Sequence, residues 1–91
     1  MGNQSAIAQM SRAAQRSYLL AALQRGGYVT VNGSVHDEED KTICPFMDHT
    51  TILALHAENI IKFSRVHGRY YHKKVFKQKI LELQLRKLLT K

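Results

Sequence analysis

Apolar residues recur at helical spacing in the first quarter of the chain. Five of them follow the 3.6-residue period of one helix face, and Ser5 is a candidate cap at the start. Gly26-Gly27 supplies a stop, because glycine adopts the left-handed conformation at a helix C-terminus at little cost. We therefore expect a helix from about Ser5 to Arg25. The residues of its predicted inner face are Ile7, Met10, Ala14, Tyr18 and Ala21.

The next segment has the pattern of short strands joined by turns. Residues 28–31 are β-branched or aromatic, which favours a strand. Asn32-Gly33 follows, the dipeptide most typical of a tight hairpin turn, and residues 34–36 are a candidate for the returning strand. Pro45 argues against a long helix through residues 42–47, because proline lacks the amide that a helix interior needs.

A short second helix is predicted after Asp48. The Asp48 carboxylate can accept from the free amides of the next turn, and Ile52 and Leu55 lie one turn apart, as core residues would. Asn59 is a suitable stop, since asparagine tolerates the left-handed conformation better than most residues.

A basic hairpin is predicted directly after this helix. In residues 60–66, Ile61 and Phe63 alternate with Lys62 and Ser64, which is the period of a strand. Residues 67–69 form a short turn, and residues 70–75 are expected to return as the second strand.

The last helix, from residue 76 or 77 to Leu89, carries two apolar stripes. Phe76, Ile80 and Leu83 form one stripe, and four leucines lie roughly opposite. A surface helix of a monomer needs only one such stripe, so we expect the second to mediate homodimerisation. The alternatives are a helix folded onto its own thin core, or a helix lying on a membrane surface. The predicted dimerisation residues are Leu81, Leu85, Leu88 and Leu89.

The segment Leu55–Ile61, LHAENII, followed by the basic KFSRVHGRYY, resembles the end of a recognition helix and the wing of winged helix-turn-helix DNA-binding proteins. The resemblance covers about residues 5–75. It implies an α+β fold: one small winged helix-turn-helix domain over residues 1–91, with a two-stranded basic wing and an extra C-terminal helix at 76–91.

One part of the chain departs from that family. The family has a compact helix between the first strand and the recognition helix, whereas this chain has the acidic, proline-containing VHDEEDKTICPF there. Either that helix is reduced to a turn around residues 37–42, or a hairpin through Asn32-Gly33 replaces it.

Charge is strongly segregated along the chain. Residues 60–91 carry ten basic and one acidic side chain, a net charge of +9, while residues 1–59 carry four basic and six acidic side chains, a net of −2. Such a concentration of positive charge attracts polyanions. We expect double-stranded DNA as the partner of a small phage- or plasmid-type transcriptional regulator or accessory factor. The candidate DNA-binding residues are His49, Thr50, Thr51, Lys62, Arg65, His67, Arg69, Lys73 and Lys74.

Two other partners stay open from the sequence. A protein-interaction module would use the two-faced last helix and the basic hairpin without nucleic acid. RNA binding through the hairpin is the third possibility. The recognition helix has no Arg or Gln, so we expect weak or shape-based discrimination between DNA sequences.

The remaining chemistry points away from catalysis. Cys44, His49 and His56 have the spacing C-x4-H-x6-H, which matches no common zinc pattern, and no glycine-rich phosphate loop is present. The acidic run 37–40 lacks the spaced ligands of a calcium loop and is expected to be a solvated loop. We expect no enzyme activity, cofactor, metal, small-molecule substrate or membrane partner, and a cytoplasmic, nucleoid-associated protein.

Overall fold

The computed structural model describes residues 10–89. It is a small α+β domain with three helices and one five-stranded antiparallel sheet within those residues, so the predicted α+β class is confirmed. The elements in chain order are α1 (Arg12–Gln24), β1 (Tyr28–Thr30), β2 (Val35–His36), β3 (Thr42–Cys44), α2 (His49–Ala57), β4 (Ile61–Ser64), β5 (Arg69–His72) and α3 (Lys73–Leu89).

The sheet joins an N-terminal meander to the basic hairpin. Its strand order is β3-β2-β1-β5-β4, so β1 lies in the centre and β4 at one edge. Val29 pairs with Val35 on one side and with Tyr70 on the other. The basic hairpin is therefore anchored to the first strand of the domain.

Strands occupy the segment between β1 and α2. Gly33, at φ +90°, makes the turn after β1, and its amide donates to the Thr30 carbonyl at 2.9 Å. The hairpin through Asn32-Gly33 is thus the correct alternative. The helix that a helix-turn-helix places before the recognition helix is absent from the described chain, as the acidic, proline-containing segment indicated, and the winged-helix assignment stays a prediction. The turn at Asn32-Gly33 and the restriction at Pro45 favour paired strands instead.

Helix α1 begins later than predicted but ends as expected. Ser11 caps it, with its hydroxyl accepting from the Ala14 amide at 3.2 Å; the predicted cap, Ser5, lies outside the described residues. At the other end Gly26 has φ +101°, and the Gly27 amide donates to the Ala22 carbonyl at 3.0 Å. This is the glycine termination that the sequence indicated.

The buried face of α1 differs from the predicted one. Leu19, Ala22 and Leu23 are buried, whereas Ala14 and Ala21 are exposed. A leucine removes more apolar surface from water than an alanine does, so the orientation that buries Leu19 and Leu23 is the more stable.

Both predicted ends of α2 are confirmed. The Asp48 carboxylate accepts from the Thr50 amide at 2.9 Å, and this hydrogen bond holds the pKa of Asp48 below its ordinary value. Asn59 has φ +63°, which lets the Ile60 amide donate to the Leu55 carbonyl at 3.0 Å. This closing turn directs the chain from α2 into β4.

The two faces of the sheet are covered differently. Helices α1 and α2 pack on one face around a continuous core, whereas α3 packs on the other, with the Phe76 ring 6.5 Å from that of Tyr71. No residue of α3 is fully buried within its described length. The core residues are Leu19, Ala22, Leu23, Val29, Val35, Cys44, Met47, Ile52, Leu55 and Ile61.

Helix α3 begins at Lys73, earlier than the predicted residue 76 or 77. The second hairpin strand accordingly ends at His72 rather than at Val75. His72 caps the helix, because its Nδ1 accepts from the Lys74 amide at 3.1 Å. A histidine cap followed by two lysines is not a usual start signal, since cations oppose the positive end of the helix dipole.

Burial keeps His72 in its neutral form. Its side chain is only 5% exposed, and desolvation, followed by the charges of Lys74 and Lys73, holds the pKa of His72 below its ordinary value. The capping hydrogen bond also requires an unprotonated Nδ1.

Asn59→Gly should leave the free energy of unfolding unchanged or raise it by a few tenths of a kcal/mol, because glycine adopts a positive φ without strain. Asn59→Val should lower it by about 1–2 kcal/mol, because a β-branched side chain is strained there. Urea denaturation of both variants measures the difference. Equal stabilities would contradict the assigned conformation.

The stability of the domain should fall as pH drops from about 6.5 through the lowered folded-state pKa of His72. In that window the unfolded chain binds the proton more readily, so the stabilisation by neutral His72 is present above pH 6.5 and lost below. His72→Asn keeps a capping oxygen and removes the titration. Melting temperatures at pH 7.5 and 5.5 should therefore differ less in this variant than in the native protein, and an unchanged difference would exclude His72 as the cause.

Candidate nucleic-acid interface

The turn of the basic hairpin is held by hydrogen bonds to Ser64. The Gly68 amide donates to the Ser64 carbonyl at 2.8 Å, and the Ser64 hydroxyl lies 2.9 Å from His67 Nδ1. We call residues 65–68 the hairpin tip. Arg65 and Val66 point into solvent from it, with Val66 86% exposed.

The start of α2 lies beside the hairpin tip. His49 Nε2 donates to the Val31 carbonyl at 3.0 Å, and the Val31 amide donates to the Gly68 carbonyl at 3.3 Å. Three predicted contact residues, His49, Arg65 and His67, therefore share one end of the molecule. Thr50 follows His49 and is exposed, although its amide is taken by Asp48.

A second basic area lies at the opposite end of the hairpin. The Lys73 amide donates to the Ile60 carbonyl at 3.0 Å, and Lys62 pairs with Tyr71, two residues before α3 begins. Lys62, Lys73 and Lys74, together with Lys77 on the next turn of α3, form what we call the lysine cluster. All four are exposed.

The lysine cluster and the tip lie at opposite ends of a short hairpin. Lys62 and Arg65 are three residues apart, which corresponds to about 10 Å of extended chain. Exposed cations therefore lie at both ends of the hairpin.

Most acids of the chain are paired away from these cations. Within residues 10–89, Arg65 and the lysine cluster have no carboxylate partner. Glu58 is held most firmly, since Arg16 donates to both of its oxygens at 2.6 and 2.9 Å and lowers its pKa. The ion pairs are Arg12–Asp48, Arg16–Glu58, Lys41–Glu39, Lys79–Glu82 and Arg86–Asp40.

Two predicted contact residues are placed elsewhere. Thr51 is only 6% exposed, because it lies on the core side of α2. Arg69 lies on the α3 side of the sheet, where its guanidinium sits 4.0 Å from the centre of the Tyr28 ring and donates to the Tyr71 hydroxyl at 3.0 Å. Arg69 therefore has a structural role in the sheet, and its predicted contact with phosphate beside Arg65 stays a prediction.

A row of aromatic rings fixes α2 against the hairpin. The Tyr70 ring lies 5.4 Å from His56 on α2 and 4.8 Å from Phe63 on β4. The strand alternation identified Phe63 as inward-facing, but nothing in the sequence paired His56 with Tyr70. These contacts set the angle between the two elements that would meet DNA.

The remaining candidate chemistry forms no site in the described chain. Cys44 is buried, its thiol donates to the Phe46 carbonyl at 3.3 Å, and burial raises its pKa, as expected for a small core residue. Residues 10–89 contain no group of three or more His, Cys, Asp or Glu side chains placed to hold a metal. None of the described helices is long and apolar enough to cross a membrane.

Comparisons with protein-family models, curated proteins and solved structures found no match.

Arg69→Met should lower the free energy of unfolding by about 1–2 kcal/mol, since it removes a cation–π contact and a half-buried hydrogen bond. Arg65→Met, on the exposed tip, should change it by less than about 0.5 kcal/mol. Chemical denaturation of the two variants makes the comparison. Similar values for both would contradict the different roles assigned to these arginines.

Proposed function

We propose that this protein binds double-stranded DNA through the surface around the edge strand β4, which combines the basic hairpin with the start of α3 on one side of the sheet and the start of α2 on the other. The lysine cluster and Arg65 contact phosphates, and His49 and Thr50 approach the groove. The protein acts as a small transcriptional regulator or accessory DNA-binding factor. The unit α1, β1, α2, β4 and β5 is a winged-helix variant in which a β-hairpin replaces the helix before the recognition helix.

The observation that carries this proposal is the set of exposed cations without acidic partners. Within residues 10–89, five ion pairs involve five of the seven acids, and none of those pairs includes Arg65 or the lysine cluster. Uncompensated positive charge repels itself and lowers stability unless a polyanion neutralises it. DNA phosphates supply that neutralisation and release counterions on binding.

The first turn of α3 supports the same interpretation. It contains Lys73 and Lys74 and no acidic residue, although the positive end of the helix dipole favours acids there. These lysines therefore lie where they reduce helix stability. A nearby phosphate backbone would reverse this effect, because both the lysines and the helix end attract anions.

The exposed side chains of α2 are suited to contacting DNA, but not to distinguishing one base sequence from another. His49 and Thr50 are short polar side chains at its start, and the exposed residues that follow include Leu53 and His56. None of them makes the bidentate contacts by which Arg, Asn or Gln distinguish base pairs. Any preference among sequences would then arise from groove shape and flexibility.

A protein-interaction function without nucleic acid has one observation in its favour. Leu81, Leu85, Leu88 and Leu89 are exposed on α3, and apolar surface of this kind is typical of protein interfaces. The two functions differ in their dependence on salt. DNA binding weakens steeply as salt rises, whereas binding through leucines does not.

Affinity for a random 20-base-pair duplex, measured by fluorescence anisotropy, should be roughly micromolar at low salt. With five phosphate contacts its logarithm should fall with log salt at a slope of about −4.5. Lys73→Ala combined with Lys74→Ala should reduce that slope to about −2.7 and weaken binding at least about tenfold at low salt. The same change should not destabilise the fold, because it removes cations from a helix start.

Lys41→Ala is the matched control, since Lys41 is exposed but paired with Glu39 on the other part of the sheet. Lys41 lies outside the proposed interface, so this change should alter neither the affinity nor the slope. Equal losses per removed charge in the control and the double variant would mean that net charge, rather than this face, determines binding. Stronger competition by hairpin RNA than by duplex DNA would overturn the choice of DNA.

A further inference from the structure

A groove with a mostly apolar lining lies between the hairpin tip and α3. Its volume is about 420 Å³, within the range of about 300–1,000 Å³ that small-molecule sites occupy. It extends along α3 from Phe76 to Lys87, a rise of about 16 Å. The apolar side chains that line it are Phe63, Val66, Phe76, Ile80 and Leu83.

The two ends of this groove differ in charge. One end lies at Phe76, beside the sheet, where the ring is 6.5 Å from that of Tyr71. The other end lies at the hairpin tip, where Arg65, His67 and Lys87 line the groove. Lys87 and the tip also share an adjoining recess at that end. No acid is among the described residues that line the groove, so its charged end is cationic.

We propose that this groove is a binding site for a free fatty acid. The hydrocarbon chain lies along α3 with its methyl end towards Phe76, and the carboxylate lies at the hairpin tip beside Arg65. Contact of the chain with Phe63, Ile80 and Leu83 drives binding, because it removes apolar surface from water. The Arg65 guanidinium can donate two parallel hydrogen bonds to the carboxylate.

The cationic end is held in place before a ligand arrives. Arg65 is exposed and forms no ion pair with a carboxylate of the described chain. His67 Nδ1 lies 2.9 Å from the Ser64 hydroxyl, which leaves Nε2 for a ligand. The Gly68 amide donates to the Ser64 carbonyl at 2.8 Å. The backbone of the turn that carries Arg65 is therefore already ordered, and binding loses less entropy there.

The distribution of charge distinguishes a fatty acid from other occupants. A fatty acid has one anionic end and one apolar end, as the groove has one cationic and one apolar end. The DNA backbone is charged along its whole length and has no apolar chain to place against Phe76. An acidic amphipathic helix carries its charges along one side instead of at one end. A second copy of this chain, with a net charge of +7, would bring further cations towards Arg65.

This site does not depend on the proposed DNA binding, although both use Arg65. The apolar residues of the groove are not among those assigned to DNA, and fatty acid binding is measured without DNA. Either proposal can therefore fail while the other stands.

Isothermal titration calorimetry of the full chain with dodecanoate, below the concentration at which it forms micelles, should give one site with a dissociation constant of about 10–100 μM. From octanoate to dodecanoate the affinity should rise about two- to fourfold per methylene, since each one places more apolar surface in the groove. Dodecyltrimethylammonium, a cation with a similar chain, should bind at least about tenfold more weakly. No binding of dodecanoate, or equal binding of the cation, would overturn the proposal.

Arg65→Met should weaken dodecanoate binding about tenfold, because it removes the charged partner of the carboxylate. Lys62→Met is the matched control: Lys62 is also exposed on the hairpin, but it lies away from the tip and does not line the groove. It should leave the dissociation constant unchanged. Equal losses in the two variants would mean that net charge holds the ligand, and the proposal would be rejected.

Two neighbouring residues of α3 test the apolar part of the site. Ile80 lines the groove and is half-buried, whereas Leu81 is 56% exposed and is not part of the lining. Ile80→Ala should weaken dodecanoate binding about three- to tenfold, because the chain loses an apolar contact. Leu81→Ala should have no effect. An equal or larger loss with Leu81→Ala would place the chain on the outer side of α3 and contradict the assignment.

The native protein provides a measurement that does not depend on any variant. Amide chemical-shift changes on addition of dodecanoate should be concentrated in residues 63–67 and 76–87. Leu53 is the reference, since it is 57% exposed but lies on α2, away from the groove. Changes of similar size around Leu53 would indicate unspecific association with exposed apolar residues and would overturn the site.

Two other anionic partners are distinguished by competition with dodecanoate. An acidic amphipathic peptide that binds the native chain more tightly than dodecanoate does, and displaces it, would assign the groove to a protein partner. Phosphatidylglycerol vesicles that displace dodecanoate would assign it to a membrane surface. Either result would overturn the choice of a free fatty acid, whereas failure of both to compete supports it.

Discussion

The antiparallel pairing of β1 with β5 is the contact on which the rest of the structure depends. It consists of two residue pairs, Val29 with Tyr70 and Thr30 with Arg69, and it joins segments about forty residues apart in sequence. An isolated two-stranded hairpin is marginally stable in water. The basic hairpin is therefore rigid because β1 provides a third strand, with buried Val29 on one face and the contact between Tyr28 and Arg69 on the other. The proposed interface depends on this rigidity.

The features that sequence analysis predicted correctly are set by a few neighbouring residues. Asp48 caps α2 through an amide two residues away, and Asn59 ends it through its own positive φ. The turn at Asn32-Gly33 is equally local. In each case one side chain or one backbone conformation determines the outcome, so the tertiary fold is not needed to recognise it.

The features that sequence analysis missed depend on contacts between residues that are far apart in the sequence. Arg65 and Arg69 look alike in a basic segment, and only the position of Tyr28 separates the structural arginine from the exposed one. Thr51 seemed a contact residue because it follows the cap, but packing of α2 on the sheet turned it inward. The start of α3 at Lys73 was not predicted, because a histidine is not a usual helix cap. His72 accepts the capping hydrogen bond in this fold, where it is buried at the end of β5.

Helix α3 carries most of the lysine cluster of the proposed DNA-binding surface. It has no fully buried residue, so its packing on the sheet is modest, and it carries the exposed leucines at one end and most of the lysine cluster at the other. Any interaction that binds only the docked, folded helix stabilises it by mass action. DNA held by Lys73, Lys74 and Lys77 would act in this way, because it contacts these lysines together with Arg65 only when α3 is docked on the sheet.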